Sequence, residues 1–245
     1  MSSVQSTGDV VLSVVVPAYN EAATIEAALR QLKLVPLRLE VIAVDDASTD
    51  GTGAILDGLK GTGLVQQVLH HAKNRGKGAA LKTGIAAASG SVIVAQDADL
   101  EYDPTELPRL LAPIMEGRAD AVYGSRFQGG PHRVLFFWHA VGNNFLTLVS
   151  NMFTNLNLTD METCYKMVRA DLLKRLPLRA ERFGIEVELT ARLAQAGARI
   201  WELPISYSGR TYAEGKKITW RDGLAALFHI LRYNLLPPRG SWRER

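Results

Sequence analysis

Short apolar runs alternate with helical patterns through the first half of the chain. The run at 10–19, VVLSVVVPAY, predicts a buried strand, and the segment after it, EAATIEAALRQLKL, carries apolar residues at helical spacing. Asn20 precedes that segment and is predicted to be its N-cap. This rhythm is typical of a mostly parallel sheet with helices on both faces. The further predicted strands lie at 39–46, 64–70, 91–99 and 119–125, with helices at 52–60, 78–88 and 105–116.

The alternation is lost from residue 126 onward. An aromatic stretch that begins VLFFW at 134–138 follows a Gly-Gly-Pro turn, and a helix is predicted over 185–196. The strand RIWELPISY and a last helix, WRDGLAALFHILRYNLL, come next. We predict three parts, with the central one divided where the composition changes. They are a flexible N-terminus at 1–9, a domain over 10–220 with halves 10–125 and 126–220, and an amphipathic helix and tail over 221–245.

The composition and charge of the chain exclude several classes of protein. The 245 residues are 47% hydrophobic, which is enough for one large core. A net charge of +3 is too small to indicate a nucleic-acid partner. The single cysteine, Cys164, excludes an intrachain disulfide and a cysteine-based zinc site. Without a signal-peptide pattern or an apolar run of ~18 residues, we predict a cytoplasmic protein, or one on the cytoplasmic face of a membrane.

Acidic residues follow three of the predicted strands. Glu21 comes after the first, Asp45 and Asp46 end the second, and Asp97 and Asp99 end the fourth. The carboxyl ends of parallel strands share one edge, where grouped carboxylates repel one another unless a cation lies among them. Mg²⁺ favours one or two carboxylates together with substrate phosphates. The pattern predicts Mg²⁺ or Mn²⁺ bridged to a diphosphate ligand, while Asp97 and Asp99 also suit a helix N-terminus.

A second informative stretch is NRGKGAALKTG at 74–84. Gly76 and Gly78 flank Lys77 just before a predicted helix, so backbone N–H groups and a cation could face an anion. The stretch is not a P-loop, because Lys77 is followed by glycine. No glycine fingerprint follows the first strand, which excludes the usual dinucleotide site. An exposed basic turn is the alternative interpretation.

Five ordered segments carry a family resemblance: VVVPAYNE, VDDASTDGT, NRGKGAALKTG, QDADLEYDP and YGSRF. Over roughly residues 12–220 the chain resembles the inverting family-two glycosyltransferases with a GT-A fold. It is most similar to the dolichyl-phosphate mannose synthases and polyprenyl-phosphate glucosyltransferases, which move a sugar from a nucleotide diphosphate to a lipid phosphate. The resemblance implies an α/β, Rossmann-like, mostly parallel sheet with helices on both faces and a C-terminal acceptor-side extension.

The resemblance also implies which residues bind the donor. Lys77 would support the base or the phosphates, and Asp97 and Asp99 would bracket the metal and the diphosphate. The remaining implied donor residues hold the base and ribose of the nucleotide: Pro17, Tyr19, Glu21 and Asp46.

On the acceptor side the resemblance assigns Arg126, in YGSRF, to the acceptor phosphate. It matches ISYSGRTYAEGKKI to a mobile loop, in which Arg210 with Lys216 or Lys217 would close on the phosphates. The catalytic candidates are thus Asp99, Arg126, Arg210 and, in DMETCYK, Asp160.

The acceptor class stays open at this point. A phosphate monoester is already ionised near neutral pH and needs only positioning cations, whereas a hydroxyl needs a general base within hydrogen-bond reach. Both kinds of side chain are present, and we favour the phosphate. The cations are Arg126, Arg133, Lys166 and Arg210, and the carboxylates are Asp160, Glu162, Glu186 and Glu188.

Membrane contact is a related expectation. VLFFW lies after His132 and Arg133, and such aromatic segments can lie on anionic bilayers. An apolar stripe on the final helix fits a bilayer, the core or a second copy of the chain, and the three stay open. The stripe consists of Leu224, Leu227, Phe228, Leu231 and Leu235.

Two other functional classes fit less well. A nucleotidyltransferase would open with a glycine-rich loop where this chain has PAYNE. A non-catalytic nucleotide-sugar binding module would have little need for the Arg210 loop or a second acidic cluster.

Overall fold

The computed structural model describes residues 12–211, 214 and 220–236, with the backbone alone at 220 and 221. Its seven strands are β1 Leu12–Ala18, β2 Leu39–Asp45, β3 Gln67–His70, β4 Val92–Ala95, β5 Ala121–Ser125, β6 Lys166–Arg169 and β7 Ile200–Pro204. Its helices are α1 Ile25–Leu32, α2 Thr52–Leu59, α3 Lys77–Ala87, α4 Leu107–Met115, α5 Phe137–Thr154, α6 Ala170–Leu173, α7 Gly184–Gln195 and α8 Trp220–Leu235, and a 3₁₀ turn spans Pro104–Glu106.

The strands form one sheet in the order β3-β2-β1-β4-β6-β5-β7. β6 runs antiparallel to both of its neighbours, and every other pairing is parallel, so the predicted mostly parallel sheet is confirmed. β1 and β2 pair from Leu12 opposite Leu39 to Ala18 opposite Asp45. This register places the carboxyl ends of the two strands side by side.

Helices cover both faces of the sheet, as predicted. Side chains alternate between the faces along a strand. Val14 and Val16 of β1 belong to one apolar cluster together with Leu29 of α1, while Val15 belongs to the other together with Ala80 of α3. Because both faces of the central strands are buried, these strands appear in the sequence as continuous apolar runs.

Asn20 does not cap the first helix, and that prediction is wrong. The helix begins at Ile25 with Thr24 at the N-cap position. Asn20 has a positive φ of 54°, and its side-chain oxygen accepts a hydrogen bond from the backbone N–H of Thr49 at 2.8 Å. Its role is to join the loop after β1 to the loop after β2.

The final helix packs on the core with the face opposite to the predicted stripe. Ala226, Ile230 and Tyr233 are buried in the same apolar cluster as α7, whereas Leu224 and Phe228 are more than half exposed. No helix in the described ranges is long and apolar enough to cross a membrane. The division into halves at residue 126 stays a prediction, and residues 1–9, Lys216, Lys217 and the tail after 236 lie outside the described residues.

Candidate active site

The carboxyl ends of β2, β1 and β4 lie next to one another and form one edge of the sheet. The backbone N–H of Asp46 donates to the carbonyl of Ala18 at 2.9 Å, and that of Gln96 donates to the carbonyl of Val15 at 2.9 Å. These bonds tie the segments that leave the three strands to the sheet. The acidic residues that were predicted at three strand ends therefore come to a common edge.

The loop after β1 contributes the first predicted donor residues. Pro17 is the penultimate residue of β1 and pairs with Val44, and the side chain of Tyr19 is 41% exposed. The backbone N–H of Glu21 donates to the hydroxyl of Thr52 at 2.9 Å, which fixes this loop to α2. An exposed aromatic ring therefore lies beside the sheet edge, where a flat ligand could contact it.

Asp46 organises the turn that precedes α3. Its carboxylate accepts hydrogen bonds from the backbone N–H groups of Arg75 at 3.0 Å and Gly76 at 2.6 Å, and it lies 2.6 Å from Nδ1 of His71. Gly76 has a φ of 95°, and a Cβ there would lie 2.6 Å from the carbonyl oxygen of Glu181, so the turn requires glycine. Asp46 thus positions the segment that carries Lys77, and a contact with the nucleotide itself stays a prediction.

Lys77 begins a chain of alternating charges that leads away from this edge. Its Nζ lies 2.8 Å from Asp97 and 3.2 Å from Glu186, and Glu186 lies 2.9 Å from Nζ of Lys166. Burial favours the neutral amine, but the carboxylates of Asp97 and Glu186 outweigh it and raise the pKa of Lys77 well above its usual range. Lys77 is therefore a fixed cation beside Asp97.

Arg210 supplies a second cation at the same edge. Its guanidinium contacts Asp99 at 2.8 Å and Glu101 at 3.1 Å, and Glu21 lies 3.7 Å away. Glu101 also accepts the hydroxyl of Tyr207 at 2.6 Å. Burial, together with the charges of Asp97 and Glu101, raises the pKa of Asp99 to about 7. The carboxylates here outnumber the cation that they share.

The residues of this edge fit a divalent metal whose remaining ligands come from a substrate. Within the described part of the chain, no group of three or more His, Cys, Asp or Glu side chains could hold a metal ion. Mg²⁺ is commonly bound by only one or two carboxylates, with phosphate oxygens and water completing the shell. Burial and the charges of Asp97 and Glu101 together raise the pKa of Asp99, and a cation bound beside these carboxylates would favour its ionised form. Asp97 and Asp99 are the residues available to hold it.

Arg126 follows β5 and is held by a buried carboxylate. Its Nε donates to Asp160 at 2.6 Å and its Nη2 donates to the other carboxylate oxygen at 2.7 Å, while Nη2 also lies 3.2 Å from the side-chain oxygen of Asn143. Asp160 is fully buried, and its backbone N–H donates to Glu202 at 3.0 Å. A carboxylate engaged on both oxygens is suited to positioning Arg126 and not to taking a proton.

The other carboxylates that could serve as a base differ in their surroundings. Glu188 accepts from the backbone N–H groups of Arg179 and Ala180, both at 2.7 Å, and pairs with Arg192 at 3.1 Å, which gives it a structural role. Glu186 is ion-paired with two lysines, as described above. Oε1 of Glu162 is shielded and has no hydrogen-bond partner among the residues that the structure describes.

Three residues of the site were not found from the sequence. Asn143 and Tyr207 gave no signal, because each acts through a contact with a residue far away in the chain. Glu101 was visible in principle, since it continues the alternate-residue spacing of Asp97 and Asp99.

Comparison with known proteins places this geometry in a family. The model of the family described as Glycosyl transferase family 2 matches residues 13–176. An undecaprenyl-phosphate mannosyltransferase of Micrococcus luteus is 34% identical, with 90% of this chain and 97% of the relative covered. A polyprenol monophosphomannose synthase of Mycolicibacterium smegmatis is 29% identical, covering 83% of this chain and 79% of the relative. A dodecaprenyl-phosphate galacturonate synthase of Rhizobium johnstonii is 29% identical, covering 92% of this chain and 69% of the relative.

Solved structures share the fold. A glucosyl-3-phosphoglycerate synthase from Mycobacterium tuberculosis, crystallised with Mn²⁺, UDP and glucosyl-3-phosphoglycerate, superposes with a TM-score of 0.72. It is 24% identical and is matched over 95% of this chain and 82% of its own. A crystal of the same synthase with Mg²⁺ and UDP gives a TM-score of 0.70 at 22% identity, over 95% of this chain and 82% of its own. The predicted α/β GT-A fold is confirmed.

Proposed function

The chain belongs to glycosyl transferase family 2, and from that membership we propose that it moves a sugar, with inversion, from a nucleotide diphosphate sugar to a polyprenyl phosphate. The observation that carries the proposal is Arg126, a cation locked by the fully buried Asp160. The relatives named above are named for transfer to polyprenyl phosphates or for polyprenol phosphate products, which supports the same acceptor class.

On the donor side, the residues of the sheet edge stabilise the charge of the leaving diphosphate. Asp97 and Asp99 would hold a divalent cation, which supplies positive charge against that diphosphate when bound. Lys77 is fixed beside Asp97 and adds a permanent positive charge. Arg210 is poised on Asp99 and Glu101, and it would exchange these carboxylates for the phosphates of the donor.

On the acceptor side, the chemistry requires orientation and no base. A phosphate monoester is ionised near neutral pH, so its oxygen is already a nucleophile for in-line attack on the anomeric carbon. The guanidinium of Arg126 is always charged, and it can attract and orient the acceptor phosphate while Asp160 and Asn143 hold its Nε and Nη2 groups. Asp160 fixes the plane of that guanidinium, which reduces the entropy lost when the acceptor is oriented.

The direct test pairs donors with matched acceptors. We expect purified protein, a panel of nucleotide sugars and Mn²⁺ to give a sugar-phosphate lipid with undecaprenyl phosphate, identified by its mass. Undecaprenol, which has the same tail and a hydroxyl in place of the phosphate, is the control and should give no product. Equal transfer to undecaprenol would contradict the phosphate acceptor, and no transfer to either lipid would contradict the proposed function.

We also propose that the protein docks on the bilayer that contains this acceptor. The 18 residues of α5 include no Asp, Glu, Lys or Arg, and Phe137 and Trp138 near its start are 69% and 76% exposed. The same helix carries Asn143, which contacts Arg126. A lipid phosphate stays at the bilayer surface, so an apolar face next to Arg126 suits a lipid bilayer. We call this face the α5–α8 face; it consists of Phe137, Trp138, Phe145, Leu148, Met152, Leu224, Phe228 and Leu235.

Charged substitutions on the α5–α8 face should abolish vesicle binding. The double variant Trp138→Glu with Phe145→Glu is expected to lower binding to anionic vesicles at least about a hundredfold, since burying each aromatic ring is worth about 1.5–3 kcal/mol. Co-sedimentation with phosphatidylglycerol vesicles measures the effect. Leu34→Glu is the control, because Leu34 is 72% exposed just after α1 and should not alter binding. A change from dimer to monomer in light scattering, with unchanged vesicle binding, would assign the face to a second copy of the chain.

A further inference from the structure

Four carboxylates near the acceptor side were candidates for contact with a substrate, and three of them are already engaged by the protein. Asp160 accepts from Arg126, Glu186 is paired with Lys166, and Glu188 is held by Arg192 and two backbone N–H groups. In each case a cation of the chain balances the charge of the carboxylate. The remaining member of the group is Glu162.

Glu162 has a carboxyl oxygen that no residue in the described part of the chain satisfies. Its Oε1 is shielded from solvent and has no hydrogen-bond partner among the described residues. The turn that carries it is fixed, because the backbone N–H of Met161 donates to the hydroxyl of Thr147 at 3.1 Å and the hydroxyl of Thr163 donates to the carbonyl of Gly124 at 2.6 Å. A shielded acceptor without a partner is unfavourable, so a ligand or a water molecule that donates a hydrogen bond to it would stabilise the site.

The charged neighbours of Glu162 belong to both halves of the site. Burial raises the pKa of its carboxyl to about 7, and the groups that act on it are Lys166, Glu186, Arg126 and Asp160. Lys166 and Glu186 form an ion pair, and Glu186 also pairs with Lys77, which contacts Asp97 on the diphosphate side. Arg126 and Asp160 form the acceptor side. Nζ of Lys166 donates to the carbonyl of Thr163, the residue that directly follows Glu162, at 3.0 Å, and Asp160 lies two residues before Glu162. Glu162 therefore lies between the diphosphate side and the acceptor side, and the sugar is transferred between the same two sides.

We propose that Glu162 hydrogen-bonds a hydroxyl group of the transferred sugar and helps to select that sugar; this inference rests on the proposed function. A sugar hydroxyl both donates and accepts, so it satisfies the carboxyl group whether or not it carries a proton. Glu162 is not suited to bind a phosphate group, because the negative phosphate oxygens would repel its carboxylate. It is not needed as a general base either, because a phosphate acceptor is already ionised. Residue 162 is partly exposed although its Oε1 is shielded, so a small rotation of the side chain would bring the carboxyl group to a ligand.

Substitution at this position should affect recognition of the sugar and spare the nucleotide. We expect Glu162→Ala to lower kcat/KM for the preferred nucleotide sugar by about 10- to 100-fold, the range for a hydrogen bond to a charged group. Its affinity for free UDP or GDP, measured by calorimetry with Mn²⁺, should stay within about twofold of wild type. Glu162→Gln keeps hydrogen-bonding capacity and should recover at least half of the loss on a logarithmic scale.

Deoxy donors identify the hydroxyl involved. For one monodeoxy form of the preferred nucleotide sugar, wild type should lose as much kcat/KM as Glu162→Ala loses with the intact donor. The two losses should not add, because both remove the same bond. Glu40→Gln is the matched control. It removes another buried carboxylate, bonded to Ser13 and Ser89 at the opposite end of β2, and it should lower thermal stability without changing donor preference.

Three outcomes would overturn the proposal. The first is a Glu162→Ala enzyme within twofold of wild type on all intact donors. The second is an equal loss of affinity for free UDP or GDP, which would indicate a structural role. The third is a roughly thousandfold loss of kcat in both variants with unchanged donor affinity, which would make Glu162 a general base. If Glu162→Ala fails to fold, Glu162→Gln and Glu162→Asp are compared in the same measurements.

Failure of the proposed function would be recognised separately. A wild-type protein that transfers no sugar to undecaprenyl phosphate contradicts that function. The comparison between nucleotide sugar and free nucleotide in binding to Glu162→Ala needs no acceptor. If Glu162→Ala binds the nucleotide sugar more weakly than wild type does, and binds the free nucleotide equally well, the contact is still supported. If the variant and wild type bind the nucleotide sugar with equal affinity, the contact is refuted.

Discussion

Replacing Asp99 with alanine is expected to lower turnover by at least about a thousandfold and to remove metal-dependent binding of the nucleotide donor. Asp99 lies at the sheet edge, where burial and the charges of Asp97 and Glu101 raise its pKa to about 7, and a cation would favour its ionised form. A bound metal ion contributes several kcal/mol of charge stabilisation, which corresponds to a factor of this size. Product formation gives turnover, and calorimetric titration with Mn²⁺ and a nucleotide sugar gives binding.

Asp103→Ala is the control from the same acidic stretch. Asp103 is exposed and caps the 3₁₀ turn through a bond from the backbone N–H of Thr105 at 2.9 Å, so its loss should cost about 1 kcal/mol of stability and leave turnover intact. In the Asp99 variant, Arg210 keeps its two bonds to Glu101, so the arginine stays anchored. Full turnover in the Asp99 variant, or an unchanged response to Mn²⁺, would refute the metal role.

The first half of the fold was predictable because its strands are buried on both faces. Continuous apolar runs at β1 and β2 cannot be mistaken for surface segments, and each ends in polar residues where the parallel strands reach the sheet edge. The strand ends therefore locate Asp46 and the Asp97–Asp99 pair from the sequence alone. The β4 strand is shorter than predicted and stops at Ala95, so both of its acids lie in the following turn.

The second half was harder because its elements depend on contacts between distant parts of the chain. β6 has only four residues, and its antiparallel pairing with β4 and β5 is not encoded locally. No pattern predicted α5, whose apolar residues lie on its exposed face as well as on its packed one. An exposed apolar face removes the amphipathic contrast on which a sequence-based prediction relies.

Ion-pair partners were the part of the site that the sequence could not give. Arg126 and Asp160 were both candidates, but nothing in their spacing indicates that one holds the other. The same applies to Arg210, which was expected on phosphates and lies on Asp99 and Glu101 in this structure. Charge types can be read from a sequence, whereas the pairing of charges is a property of the folded chain.

Arg126→Ala is expected to lower kcat by about 10²–10³ while changing donor affinity less than threefold, because Arg126 serves the acceptor. The single variant leaves Asp160 fully buried without its partner, which should destabilise the protein by about 3–5 kcal/mol.

Arg126→Ala combined with Asp160→Asn removes that unpaired charge, so it separates folding from function. The double variant should recover most of the lost thermal stability and none of the lost turnover. Arg126→Lys keeps the charge but loses the planar group that Asp160 holds through two hydrogen bonds, and we expect it to raise KM for undecaprenyl phosphate. Thermal melting, steady-state kinetics and calorimetric titration of the donor distinguish these effects. If donor affinity falls as much as turnover, Arg126 belongs to the donor site and the acceptor phosphate must be bound elsewhere.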